Sequence, residues 1–254
     1  MSIDTETISR RAVLGGVAGL GFAFGAGRLF TGSAVAYTQQ AAAGGSGGLL
    51  VYWRETVNGG VTESSLPSTG DGSQPTGPVV DLTNAQPGDR GALAVGLALG
   101  EDVESSARVW MALVPRGPTP YAENGINEPE RKAGDVTPDV GELQEYVHVD
   151  VWYDDGFFGL GGCDGEYNSL AETAVASGTF AEVADALADG VPVEPSGSQV
   201  ACFTPNDRRC LGFRWSLDES VGNVVQGDSV AFDLAFYAED CAVDRATSPF
   251  AGVT

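Results

Sequence analysis

Three segments of the chain alternate apolar and polar or small residues with a period of two. Val147, Val149, Val151 and Tyr153 alternate with His148, Asp150 and Trp152; Leu211, Phe213, Trp215 and Leu217 with Gly212, Arg214 and Ser216; Val230, Phe232, Leu234 and Phe236 with Ala231, Asp233, Ala235 and Tyr237. Successive side chains of a strand point to opposite faces, so this spacing predicts strands with one face on a core and the other toward solvent. Ala92 to Leu99 and Arg108 to Val114 are more continuously apolar, as expected of strands covered on both faces. Turn sequences precede two of these strands, Gln86-Pro87-Gly88-Asp89 and Gln226-Gly227-Asp228. One helix is predicted after Thr179, which can cap it in a box with Glu182; Phe180, Val183, Ala184 and Leu187 form its apolar face and Gly190 ends it. The pattern predicts an all-β fold, an antiparallel two-sheet jelly-roll sandwich with one or two short helices, occupying residues 49–254.

The first 36 residues have a different character. Arg10 and Arg11 stand directly before a glycine-rich apolar run from Ala12 to Phe30, and Ala34-Val35-Ala36 offers small residues for cleavage. This is the layout of a twin-arginine export signal. Six glycines dilute the run as a membrane span, which needs near 20 strongly apolar residues. Residues 37–48, with AAAGGSGG at 41–48, read as a flexible tether. Residues 64–78, rich in serine, proline, glycine and threonine, read as a long loop.

Charge narrows the partners. Thirty-five acidic residues stand against 13 basic ones, Lys132 being the sole lysine, for a net charge of -22. Such a field repels phosphate backbones and anionic membranes, which excludes nucleic acid as a partner. Acidic side chains in place of lysine also keep a surface hydrated in concentrated salt, so the composition predicts a halophilic protein, which the export signal places outside the cell.

The four cysteines, Cys163, Cys202, Cys210 and Cys241, form an even set. In an oxidising compartment two disulfides are expected, with three pairings open. The turn at Thr204-Pro205-Asn206-Asp207 favours Cys202 with Cys210, leaving Cys163 with Cys241. A tetrathiolate zinc site is the rival, but the C-x2-C spacing that usually builds one is absent.

Catalytic signatures are few. His148 is the lone histidine and sits on the polar face of a strand pattern; a two-histidine zinc site cannot be built from it. The single G-x-S-x-G match, Gly44 to Gly48, falls in the tether, where no strand-to-helix elbow can form. Lys132 lies in no phosphate-binding G-x4-G-K motif. The densest acidic constellation, Asp150, Asp154, Asp155, Asp164 and Glu166 with Asn168, flanks a glycine-rich stretch. It nominates Asp154, Asp155, Asp164 and Glu166 as calcium ligands, although the spacing is not that of an EF-hand. No small-molecule substrate and no other cofactor is indicated.

Two stretches carry a family resemblance. Cys210 to Cys241, with Trp215, the G-N-x-x-Q-x-D-S turn at Gly222 to Ser229 and the F-x-x-x-F-Y-A-E run from Phe232 to Glu239, resembles the closing hairpin of the TasA/camelysin family, particularly its haloarchaeal members. Leu82 to Asp89 resembles the P-G-D turn that opens that family's first core strand, and Gly178 to Leu187 is similar to its short helix. The resemblance implies a secreted, non-enzymatic jelly-roll subunit of surface or biofilm-matrix filaments, in which an N-terminal strand of one subunit completes the sheet of the next. Its partners would be copies of itself or other surface proteins. The candidate donor is the segment from Tyr37 to Trp53, the tether followed by Leu49-Leu50-Val51-Tyr52-Trp53; the competing expectation is that Leu49 to Trp53 pairs within its own subunit as the first strand and Tyr37 to Gly48 is disordered. Two other readings stand beside the filament: a metallopeptidase like some relatives, which the lone histidine argues against, and a monomeric surface module binding calcium or glycans.

Overall fold

The structure is a computed structural model describing residues 39–42, 48–62, 79–83, 85–100, 105–116, 119–123, 125–155, 162–194, 202–205, 207–242 and 248–252. The predicted export signal and the predicted loop at 64–78 lie outside the described residues. Among the described residues twelve strands run in chain order: β1 Gln39–Ala42, β2 Leu49–Val57, β3 Gly60–Thr62, β4 Val79–Thr83, β5 Arg90–Leu99, β6 Ala107–Pro115, β7 Tyr121–Ala122, β8 Val147–Tyr153, β9 Thr173–Thr179, β10 Val191–Val193, β11 Arg208–Leu217 and β12 Ser229–Asp240. Three short α-helices accompany them, α1 Glu128–Ala133, α2 Leu143–Tyr146 and α3 Phe180–Ala188, with a 3-10 turn at Asn223–Val225. Seven strands form one antiparallel sheet in the order β1-β2-β5-β11-β8-β9, with β3 also on β2. Five form the other, β10-β6-β12-β4, with β7 on β12. The chain crosses between the sheets repeatedly, and β11 and β12 lie beside β5 and β6, an arrangement that fits a jelly roll.

The alternation in the sequence is the alternation of the sandwich. Val147, Val149 and Val151 of β8, Leu211, Phe213, Trp215 and Leu217 of β11, and Val230, Phe232, Leu234 and Phe236 of β12 all enter one buried cluster. Opposite them, Val95 and Leu97 of β5 and Val109, Met111 and Leu113 of β6 complete it. From Leu93 to Leu99 every residue of β5 is buried, as its continuous apolar run predicts. β6 is covered less fully. Its outer-face Ala112 packs with Ala235 under Phe250, while Arg108, Trp110 and Val114 are half-buried. The helix after Thr179 forms as predicted: the Thr179 hydroxyl accepts from the Glu182 amide, the Glu182 carboxylate accepts from Thr179 N–H, and Phe180, Val183, Ala184 and Leu187 are buried.

Residues 37–48 are not tether throughout. Gln39–Ala42 pairs antiparallel with β2, Gln39 opposite Trp53 and Ala42 opposite Leu50, making a sheet edge. β2 then turns into β3 through Asn58-Gly59, whose φ values of 49° and 77° suit the two-residue turn that matches strand twist.

The disulfides correct the expected pairing: they join Cys163 to Cys210 and Cys202 to Cys241, with Cα separations of 5.3 and 6.1 Å. The turn at 204–207 does form, Asp207 N–H donating to Thr204 O, yet it does not bring its flanking cysteines together. Phe203 instead bridges Ala107 at the start of β6, and Cys241 N–H donates to Ser106 O, so Cys202 lands beside Cys241. Cys210 lies next to the end of β8, where Asp154 N–H donates to Cys210 O and Cys163 N–H donates to Asp154 O. Register, not proximity in sequence, chose the partners. Non-reducing peptide mapping is expected to recover these two links. By loop closure over 47 and 39 residues, each is worth about 4 kcal/mol at most.

A close approach fixes the outer face of the larger sheet. Gly212 is the cross-strand partner of Trp152, and a Cβ placed on it would sit 2.0 Å from the Trp152 ring. Trp152 is fully buried and therefore cannot swing away. Gly212→Ala is expected to cost about 2–3 kcal/mol in urea unfolding, through overpacking of the ring.

Candidate functional site

Of the glycine-rich stretch nominated for calcium, residues 156–161 lie outside the described residues, and the part from 162 on lies over the larger sheet. That part is pinned by the Cys163–Cys210 bond, and Tyr167 stacks on Trp152 at 5.3 Å between ring centres. Arg54 of β2 donates to Asp164 O at 2.8 Å. The four nominated carboxylates do not converge. Asp155 pairs with Arg209, whose guanidinium lies 4.0 Å over the Tyr153 ring. Asp164 accepts from Glu166 N–H within its own turn, and Asp154 accepts from Gly165 N–H at 2.8 Å. Asp154 is wholly buried. Burial pushes its pKa up to about 7, helped by the nearby charges of Asp164 and Glu172 and opposed by the amides of Gly165 and Cys163.

His148 is exposed on β8, with Nε2 3.3 Å from Asp150 Oδ1. Ser177 also donates to Asp150 Oδ1, at 2.7 Å, and Arg214 pairs with its other oxygen. Burial alone would raise the Asp150 pKa, but the Arg214 and Ser177 bonds hold it below the usual carboxylate range. The aspartate stands between serine and histidine. A hydrolytic triad needs the histidine in the middle, as the base that takes the serine proton.

Leu49-Leu50-Val51-Tyr52-Trp53, the nominated donor, lies inside its own sheet. β2 pairs with β5 from Leu49 opposite Leu99 to Val57 opposite Gly91, and Leu49, Val51 and Trp53 are fully buried. The other side of β2 is covered by β1 and β3, so the edge belongs to those two short strands. In its own chain the run is an internal strand of the fold.

A group that the sequence did not single out gathers at the end of the sandwich where β8 and β12 begin. Glu123 follows β7, Glu130 lies in α1, Asp135 and Glu142 lie between α1 and α2, and Asp228 immediately precedes β12. Ligand oxygens of Glu123, Asp135 and Glu142 fall within 4.8 Å of one another, and so do those of Glu123, Glu130 and Asp228. Glu130, Asp135 and Asp228 are buried. Local structure explains the placement: Asn127 caps α1 and Glu130 closes the box, accepting from Asn127 N–H, with Pro129 in the first turn. Asp228 accepts from the amides of Glu142 and Leu143 and so fixes the entry to α2. Asp135 accepts from Thr137 N–H, and the Thr137 hydroxyl, within reach of both carboxylates, gives its single proton to Glu142. Burial and the adjoining Asp228 carboxyl push Glu123 up to about 7; burial, with Asp135, Asp228 and Glu130 nearby, raises Glu142. The N-x-x-E box around Pro129 is legible in the sequence, but nothing separates these five acids from the other thirty.

A cleft of about 300 Å³ opens beside this region, between the Gln86-Pro87 turn and Gly222 to Gly227. Its lining side chains carry no titratable group. Among the described residues no helix is long and apolar enough to cross a membrane, and the two disulfides suit an oxidising, extracellular setting. Comparison with known proteins returns no match to any family model, curated protein or solved structure.

Asp154 makes a pH test. A carboxyl whose pKa is raised from 3.8 to about 7 in the fold contributes stability that is complete below pH 3.8 and lost as pH rises through 7. Asp154→Asn keeps an oxygen for Gly165 N–H and carries no charge. Chemical denaturation across pH 4 to 8 is expected to show the variant losing this part of the slope and exceeding the wild type above about pH 7.

Proposed function

We propose that the protein is an exported, halophilic, non-enzymatic structural subunit of extracellular surface or matrix filaments, joined by strand addition at the β1 edge. The observation that carries this reading is the make-up of that edge. β1 has four residues, is tied by four residue pairs to β2, and follows directly on the predicted signal and precedes an Ala/Gly/Ser connection. A strand of four residues is held by few main-chain pairs, and a sheet edge from which it departs presents main-chain donors and acceptors to another chain. The donor in this reading is Gln39–Ala42, because β2 contributes three fully buried core residues and cannot leave without opening the core. The resemblance of the closing hairpin to the TasA/camelysin family supports the same reading, as does twin-arginine export, which usually carries already folded chains.

Salt favours such association. The Debye length shrinks to about 3 Å at 1 M, which screens repulsion between copies of this acidic chain. Two variants decide, one starting at Tyr37 and one at Leu49, viewed by negative-stain microscopy in molar salt. Filaments are expected from the first and not from the second. If both assemble, β1 is not the donor; if neither does at any salt concentration, the filament reading fails.

A further inference from the structure

We infer that Glu123, Glu130, Asp135, Glu142 and Asp228 form a calcium site that fastens the α1–α2 segment to the start of β12. Each of four carboxylates has one oxygen held by a donor of the protein and the other turned into the cluster. Glu130 Oε2 takes Asn127 N–H, Asp135 Oδ1 takes Thr137 N–H, Glu142 Oε1 takes the Thr137 hydroxyl, and Asp228 Oδ2 takes the amides of Glu142 and Leu143. The remaining oxygens, Glu130 Oε1, Asp135 Oδ2, Glu142 Oε2 and Asp228 Oδ1, are buried and meet no hydrogen-bond donor of the protein. Glu130 and Asp228 are only 0% and 1% exposed. Among the described residues none of the five takes part in an ion pair: the neighbouring bases Lys132 and Arg131 turn to Glu128 and to Ile126 O.

Burying several carboxylates without a counter-charge is strongly unfavourable, so their joint placement calls for a positive partner. The spacing says which kind. Calcium binds oxygens at 2.3–2.6 Å, so ligands around one ion lie at most about 5 Å apart. Both triads, at 4.8 Å or less, meet that limit, and Glu123 belongs to both. Carboxylates alone, drawn from four chain segments with unequal reach, suit the irregular shell of calcium better than the octahedral, partly hydrated shell of magnesium. The donors on the outer oxygens orient the ligands, as supporting hydrogen bonds do in metal sites.

Sharing protons among the carboxyls would be the other way to relieve the repulsion, and it predicts acid stabilisation with no response to calcium. The test uses the full exported chain, stripped with chelator and kept in molar KCl. Calcium chloride is titrated against thermal melting, and against terbium luminescence excited through aromatic residues such as Tyr121, two positions before Glu123. Expected are displacement of terbium by calcium, saturation at or below about 1 mM, and a rise in Tm of about 5 °C or more at a hundred-fold excess over Kd. Equal magnesium should give less than half that rise. Glu123→Gln should weaken calcium binding by about ten-fold or more and melt higher than the wild type in chelator, whereas Asp164→Asn in the disulfide-pinned stretch should respond as the wild type does. If Glu123→Gln fails to fold, Glu142→Gln takes its place and the wild-type terbium displacement stands by itself. No saturable calcium response, a response matched by magnesium, or calcium binding within ten-fold of wild type in the folded variant overturns the site. None of these readouts depends on filaments, so the two proposals fail separately.

Discussion

Both sheets are built around the last two strands of the chain. β11 lies between β5 and β8, and β12 between β6 and β4, so the centre of each layer is supplied by residues 208–240. Among the described residues β5 and β8 meet only through β11, and β4 meets β6 only through β12, so neither sheet is continuous without them. Contacts of such sequence separation are slow to form, since loop-closure entropy is lost before the contacts are gained. If the chain is exported as proposed, a route that carries folded proteins would suit a fold whose two central strands emerge last, whereas export of an unfolded chain would leave the apolar faces of β5 and β6 uncovered outside the cell.

The charge inventory explains how polar groups are distributed over this frame. Thirteen basic residues must serve thirty-five acids. Arg209 and Arg214, spaced along β11, reach Asp155 and Asp150 and lie over Tyr153 and beside Trp152. There the buried or half-buried carboxylates of the larger sheet have partners. At the other end, where β8 and β12 begin, two triads of acids share Glu123, and among the described residues none of the five acids is in an ion pair. The contrast between a neutralised face and an uncompensated cluster in one small fold is the strongest physical reason to look for a cation at the second.

The strands were legible because a sheet buried on one face writes its period into the sequence: β8, β11 and β12 show it residue by residue, and α3 announces itself by Thr179 and Glu182. What could not be read was what register decides. Cys202 and Cys210 sit on either side of a genuine turn, yet Phe203 is drawn to Ala107 and Cys210 to the end of β8, and the sulfurs follow their strands. Gln39–Ala42, polar and small, carries no strand signal and is ordered by β2. The glycine-rich acidic stretch at 154–166 was conspicuous in sequence, but its carboxylates are engaged separately by Gly165, Glu166 and Arg209. The cluster that does converge is dispersed over more than a hundred positions, and three-dimensional proximity is its sole signal.

The two ends of the sandwich are closed by different chemistry. β8 and β12 both end beside disulfides, Cys163–Cys210 next to Asp154 and Cys202–Cys241 just after Asp240. Both begin at the acidic cluster, since α2 runs directly into β8 and Asp228 directly precedes β12. At that end the two sheets are joined by the non-covalent grip of Asp228 on the amides of Glu142 and Leu143, with carboxylates that repel one another packed around it. An ion held there would do for the open end what the sulfurs do for the other, tying an entry to the larger sheet to an entry to the smaller one. Unlike a disulfide it could be lost and regained, so the rigidity of this end would follow the calcium of the surroundings while the disulfide end stayed fixed.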